Sequence, residues 1–322
     1  MSSSVLLFPG QGAQSIGMGR AWHAASGAGR DVFTEADAVF ADATRAISEL
    51  NSRTLSQLCF EGPGELLNRT DVSQPAIYTA SIASLRALTA AGSLENPVAA
   101  AGLSLGEYTA LCAAGAFSFA DGLRLVCLRG RAMQDAAEAS SGGMVALIGA
   151  DEGQAQEVCR ETLLTGDGRE VLVCANFNAP GQIVISGSKS ACERAAAADG
   201  PAARLGLRAT VLQVAGAFHS PLMQPAADRL KAALAGTAIN ANLACTVVAN
   251  VTAEPHAPSG DSIRTRLFEQ LTAPVRWAES CAWLAKNHAS ATFHELAPGK
   301  TLMGLMRRID KSIKVTPHDE PA

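Results

Sequence analysis

Read for hydrophobic period, the chain alternates short apolar runs with longer helical stretches. Val5-Leu-Leu-Phe8 is an uninterrupted apolar run closed by Pro9-Gly10, which predicts a strand buried on both faces. Residues 32–58 carry helical polar and apolar text, and Gln74-Pro75-Ala76-Ile77-Tyr78 opens a long helix that reaches residue 91. Asn96-Pro97 marks a turn before a second strand, and a helix is expected over residues 120–139. Strands alternating with helices up to residue 140 predict an α/β fold with a mainly parallel sheet covered on both faces.

The texture changes after Ser140-Ser-Gly-Gly143. Strands are expected at 144–148, 171–176, 182–186 and 208–214, with helices at 151–162 and 189–198. That βαββαβ order is the ferredoxin-like arrangement. It predicts an inserted subdomain over residues 141–214, with a large α/β catalytic domain built from 1–140 and 215–322. Their junction would form a cleft, a usual place for a ligand. A strand at 245–251, helices at 262–270 and 277–287, and a last strand at 292–296 return the chain to the large domain.

Composition narrows the function classes. With 322 residues, 48% of them hydrophobic, the chain is long enough for a substantial core in one large domain or two smaller ones. A net charge of −4 and no basic, aromatic-interleaved patch give no reason to expect nucleic acid. The first nine residues lack a basic segment and carry an apolar run of only four, so no secretory leader is expected, and no run approaches a membrane span. The eight cysteines are widely spaced, without C-x-x-C or a zinc-type cluster, and read as reduced core residues of a cytoplasmic protein. The six histidines are scattered, so neither a metal nor a cofactor is expected.

The candidate chemistry centres on Gly102-Leu-Ser-Leu-Gly106, which follows short apolar residues and precedes a helix-forming run. This G-x-S-x-G pattern predicts a strand turning sharply into a helix with Ser104 at the corner, the arrangement of an α/β-hydrolase-like core. The glycines give room for a crowded turn, and the Leu105 N–H, unpaired at the helix start, would face a developing oxyanion. The glycine-rich loop Pro9-Gly-Gln-Gly-Ala-Gln14 lacks G-K-[ST] and does not fit G-x-G-x-x-G, so phosphate binding is a poor reading. Strand ends of an α/β sheet converge on one edge, which places this loop beside the serine and makes Gln11 the second oxyanion donor.

His219, in Gly216-Ala-Phe-His-Ser220 between a strand and a new helix, is the best placed general base of the six histidines. Arg129 lies roughly 140° around its helix from Arg124 and about 160° from Arg131, on the side of Leu125, Val126 and Met133. A core-facing arginine requires an anion or several acceptors. Spacing alone leaves two readings open: an internal salt bridge, or a fork waiting for a substrate carboxylate.

Six separated segments then carry a resemblance. Phe8-Pro-Gly-Gln-Gly-Ala-Gln14, Gly102-Leu-Ser-Leu-Gly-Glu-Tyr108, Arg129-Gly-Arg-Ala-Met133, Asn176-Phe-Asn-Ala-Pro-Gly-Gln182, Gly216-Ala-Phe-His-Ser220 and Gln270-Leu-Thr-Ala-Pro-Val-Arg-Trp277 resemble malonyl-CoA:acyl-carrier-protein transacylases, in order and over almost the whole chain. The resemblance implies Ser104 as the acyl-accepting serine and His219 as its base, with the backbone N–H groups of Gln11 and Leu105 as oxyanion hole. It implies that Arg129 holds the malonyl carboxylate and that the Gln270 main-chain carbonyl orients the histidine. Malonyl-CoA and an acyl carrier protein are the implied partners, in fatty-acid synthesis or, alternatively, a polyketide pathway. Asn178 and Asn250 fall in family motifs without an assigned role, and Leu103 stands where many members have histidine.

Phe218, beside the base, would either crowd the malonyl α-carbon or simply fill the core. Arg307, Arg308, Lys311, Lys314, Arg204 and Arg208 are candidates for a basic carrier-docking face, each also readable as ordinary solvated surface. Two rival functions share parts of this pattern. A serine thioesterase would need the corner and base but not Arg129, and a non-catalytic carrier-docking module would need no serine.

Overall fold

Alternate residues of the first strand serve two different cores. In the computed structural model, which describes residues 3–45, 47–50, 53–94 and 96–321, Leu6 and Phe8 pack with the helices Gly27–Ala43, Thr70–Ala90 and Phe119–Ala139. Val5 and Leu7 pack on the opposite face with the helices Trp277–Asn287 and Thr301–Ile309. A strand buried on both faces needs no polar alternation, which is why Val-Leu-Leu-Phe is continuous.

The strands are β1 Ser4–Phe8, β2 Pro97–Gly102, β3 Gly142–Ile148, β4 Leu172–Ala179, β5 Gln182–Ser188, β6 Arg208–Val211, β7 Thr246–Val247, β8 Thr292–Leu296 and β9 Val315–His318. The large sheet has the order β7-β2-β1-β8-β9, and its pairs are all parallel. The second sheet, β4-β5-β3-β6, is antiparallel throughout, and its βαββαβ sequence gives the ferredoxin-like strand order. It has its own core around Val145, Val158, Ile185 and Ala195. Among the described residues no helix is long and apolar enough to cross a membrane.

Register fixes the chemistry at one sheet edge. Phe8 pairs with Gly102, so the loop after β1 and the corner after β2 emerge side by side. The G-x-S-x-G spacing is steric. A Cβ on Gly102 would lie 1.9 Å from the Gly106 carbonyl, and one on Gly106 would lie 2.2 Å from the Phe8 carbonyl oxygen. Strand and helix meet too closely at both points for any side chain.

Several elements depart from the sequence expectation. The helix expected to open at Gln74 begins at Thr70 and carries Pro75 inside it. Its first turn is anchored by Asp71, which pairs with Arg69 at 2.9 Å and Arg131 at 3.1 Å, a tertiary clamp that outweighs the proline as a start signal. The expected continuous helical text of 32–58 breaks after Ala43, and a new helix, Leu55–Glu61, starts from a Thr54/Gln57 capping box. The strand expected at 245–251 pairs only over Thr246–Val247, because the chain then turns back on itself through a Val248–Pro255 bridge. β8 is not the last strand: the helix Thr301–Ile309 and the parallel β9 follow it.

Candidate active site

Ser104 caps the helix Leu105–Ala113 at φ 54° and ψ −101°, a backbone conformation that costs of order 1–3 kcal/mol and persists only when its surroundings impose it. Those surroundings are specific. The Ser104 N–H donates to Asn250 Oδ1 at 2.7 Å, Asn250 Nδ2 donates to the Gly102 carbonyl at 2.8 Å, and Gln270 Nε2 donates to the Ser104 carbonyl at 2.9 Å. Asn250, which carried no role at the sequence level, thus ties the corner from both sides.

Ser104 Oγ lies 2.8 Å from His219 Nε2, and His219 Nδ1 lies 2.7 Å from the Gln270 main-chain oxygen. A carbonyl oxygen only accepts, so Nδ1 carries the proton and Nε2 presents its lone pair to the serine hydroxyl. Burial, then the nearby Arg129 charge, pushes the His219 pKa down from 6.5 to about 4. The imidazole is therefore neutral at pH 7 and able to accept a proton. An acid limb of kcat/KM for acylation centred near pH 4, well below the ordinary 6.5, is expected from this burial; a limb at 6.5 in a pH–rate profile would contradict it.

Arg129 is buried beneath the pair. Nη1 donates to Gln74 Oε1 at 2.6 Å, and Nη2 donates to Ser104 Oγ and to Gln270 Oε1, both at 3.0 Å. Its Cζ sits 5.3 Å from the Tyr108 ring centroid, and its Nε has no partner among the described residues. None of these contacts is a carboxylate, so the internal salt bridge left open by spacing is not formed among the described residues. Burial lowers the arginine's pKa, yet a guanidinium remains a cation. The result is a positive charge held by neutral acceptors beside a nucleophile.

A cavity of about 440 Å³ opens at Ser104 and His219, and Arg129 lies behind the serine, outside the lining residues. The cavity wall takes Gln11, Ser104, Phe218 and His219 from the loops beside the parallel sheet and Asn176, Asn178, Gln182 and Val184 from the antiparallel sheet. Gln11 reaches the arginine through Gln74, whose Nε2 lies 3.4 Å from Gln11 Oε1. Leu105 opens its helix directly after the serine, where its N–H has no partner within the helix. Phe218 belongs to both expectations, lining the cavity and packing in the core. Of the basic docking candidates, Arg308 is engaged with Gln182 Oε1 at 2.8 Å and Arg204 with Glu161 at 2.7 Å, while Arg307, Lys311 and Lys314 are exposed. Among the described residues, no group of three His, Cys, Asp or Glu could hold a metal ion.

The architecture agrees with the comparisons. The family model described as acyl transferase domain matches residues 5–317. The chain is 39% identical over 322 residues to the malonyl CoA-acyl carrier protein transacylase of Escherichia coli, covering 100% of this chain and 97% of that protein. The chain belongs to the malonyl CoA-acyl carrier protein transacylase family. Among solved members, that of Xanthomonas oryzae superposes with a TM-score of 0.88 at 42% identity, covering 100% of this acyltransferase and 96% of that chain. A malonyl-transacylase solved with a type II polyketide acyl-carrier protein gives a TM-score of 0.88 at 35% identity, over 99% of this acyltransferase and 97% of that chain.

Four of the six expected site residues, Ser104, His219, Arg129 and Gln270, are directly hydrogen-bonded to one another; Gln11 and Leu105 flank them. Gln74 and Glu107 were not singled out by the sequence reading, and Asn250 was noted there without a role. Gln74 lay in plain view beside Pro75, and Glu107 within the quoted motif, but nothing local marks a polar residue as buried.

Proposed function

We propose that this acyltransferase moves malonyl groups from malonyl-CoA to the phosphopantetheine thiol of an acyl carrier protein, through a malonyl ester on Ser104. It is an [acyl-carrier-protein] S-malonyltransferase. The observation that carries the substrate choice is Arg129, buried against neutral acceptors 3.0 Å from the nucleophilic oxygen. A carboxylate entering there gives the guanidinium an ionised acceptor in place of neutral ones, and so a salt bridge.

His219 Nε2 takes the Ser104 proton as Oγ attacks the thioester carbonyl, and the resulting oxyanion meets the N–H groups of Leu105 and Gln11. Collapse expels the CoA thiolate, which recovers the proton from His219. The carrier thiol then gives its proton to the same nitrogen, attacks the ester, and Ser104 recovers its hydroxyl. Holding malonate by its acid end keeps the ester carbonyl in one orientation against the two donors. We divide the chain into a large unit of residues 1–140 and 215–322 and an inserted unit of 141–214, which supplies the far wall of the cavity.

We place the enzyme in the cytoplasm and in fatty-acid synthesis. Eight free cysteines suit a reducing compartment, and the 39% identity to a malonyl CoA-acyl carrier protein transacylase suits malonyl supply to fatty-acid synthesis. A polyketide carrier is the second reading, favoured by the likeness to a transacylase solved with one. Mixing the enzyme with malonyl-CoA and holo carrier protein should yield malonyl-carrier in large excess over free malonate; free malonate as the main product would make it a thioesterase instead.

A further inference from the structure

Glu107 has no task in the reaction above. It sits in the first turn of the helix after the corner, fully buried, and is not among the residues lining the cavity. A carboxylate removed from water must be met by donors, and three meet this one. Oε1 faces His256 Nε2 at 2.8 Å, while Oε2 accepts from Gln270 Nε2 at 2.6 Å and from the Asn250 N–H at 3.2 Å.

Gln270 is the partner that reaches the chemistry. Its main-chain oxygen holds His219 Nδ1 at 2.7 Å, and its side-chain oxygen accepts from Arg129 at 3.0 Å. The amide could turn over and present nitrogen to the guanidinium, which would set donor against donor. Glu107 opposes that turn together with the Ser104 carbonyl, which accepts from the same nitrogen at 2.9 Å, because both only accept and so hold the amide nitrogen on their side. The sequence carboxylate, amide, guanidinium also gives Arg129 a countercharge one residue removed. Its fork is balanced without a carboxylate touching it.

His256 completes the clamp. Its main-chain N–H donates to the Val247 carbonyl at 2.8 Å, in the turn closed by the Val248–Pro255 bridge, and its side chain is fully buried. Nδ1 has no partner among the described residues, so the imidazole's one polar side-chain contact is Glu107.

We propose that Glu107, held by His256, is a positioning residue for malonyl transfer: its carboxylate fixes Gln270 so that one side chain and its own carbonyl align the acid-binding arginine and the base together. This rests on the malonyl-transfer reading. A merely structural pair would support the fold without touching rate or acyl preference.

The test uses the full chain and its His256→Phe, His256→Gln and Glu107→Gln variants. Single-turnover acylation of Ser104 by malonyl-CoA and by acetyl-CoA is measured beside the thermal midpoint. Loss of a hydrogen bond to a charged group predicts that His256→Phe lowers the malonylation rate about tenfold, with KM for malonyl-CoA within about twofold. The malonyl-to-acetyl preference should fall by a smaller factor, about threefold, because acetylation also loses the alignment of the base but not that of the arginine. His256→Gln, whose amide nitrogen can stand at the Nε2 position, should recover to within about threefold of wild type, and Glu107→Gln should lose about a hundredfold.

If the folded fraction of His256→Phe keeps the wild-type rate and preference, or if the Gln and Phe variants are indistinguishable, the proposal is overturned. Should His256→Phe fail to fold, Glu107→Gln decides alone: wild-type rate and preference in that variant refute the role. A wild-type chain that takes no malonyl on Ser104 overturns the functional reading itself, and this role with it.

Discussion

Ser104→Ala should reduce malonyl transfer by about 10⁴-fold or more, because removing a nucleophile that works as a unit with its base costs nearly all of the chemistry. The change leaves the corner's main chain clamped by Asn250 and Gln270, both of which bond the Ser104 backbone rather than its side chain. Folding and malonyl-CoA binding should therefore survive. Intact-mass analysis after mixing with malonyl-CoA should show one added malonyl group on the wild-type chain and none on the variant. A variant that supports transfer to carrier protein at the wild-type rate would make the chain a docking module with no need of a nucleophile.

Arg129→Ala should separate malonyl from uncharged acyl groups. In the free enzyme the guanidinium is held by Gln74, Ser104 and Gln270, none of them charged. A malonyl carboxylate would be its only directly contacting anion among the described residues. Truncating one partner of a buried, hydrogen-bonded charge pair costs about 2–5 kcal/mol, or roughly 30- to several-thousand-fold in kcat/KM for malonyl-CoA. Acetyl-CoA, which makes no such pair, should lose far less and come to rival malonyl-CoA as donor. Arg129→Lys should recover only part of the difference, since an ammonium offers a point charge in place of a planar fork. Competition between the two thioesters, read by the mass of the acyl-enzyme, checks both variants. Equal losses for both donors would assign Arg129 to the serine and not to the acid.

What was legible in the sequence was what leaves a local trace. The Gly102 and Gly106 spacing reports a strand and helix in van der Waals conflict, and the apolar neighbours of Arg129 report its burial. His219 stood out by its loop position. The residues that hold these groups left no such trace. Asn250 meets Ser104 across 146 positions and Glu107 meets Gln270 across 163, so their roles exist only once the chain has closed. In a sequence each is one more polar residue.

The fold was read well where periodicity was long and poorly where tertiary contacts overrode local signals. Pro317 argues against a strand at the C-terminus, yet β9 lies at the edge of the sheet, where a missing N–H goes unnoticed. The helix Thr301–Ile309 is only nine residues long and has no side-chain cap of its own. Its opening N–H groups, of Leu302 and Met303, are met from outside by the buried Glu295 at 2.8 and 2.7 Å, a partner that no local pattern announces. The strand expected over 245–251 ended early for a related reason: Asn250 is drawn away from the ladder to serve the serine corner.

The most direct measurement is a crystal structure of the wild-type chain trapped as its malonyl-Ser104 ester. It should show the malonyl carboxylate within hydrogen-bond distance of both terminal nitrogens of Arg129, with the ester oxygen facing the N–H groups of Gln11 and Leu105. A carboxylate turned out toward the cavity mouth, with Arg129 still bonded only to Gln74 and Gln270, would contradict the account.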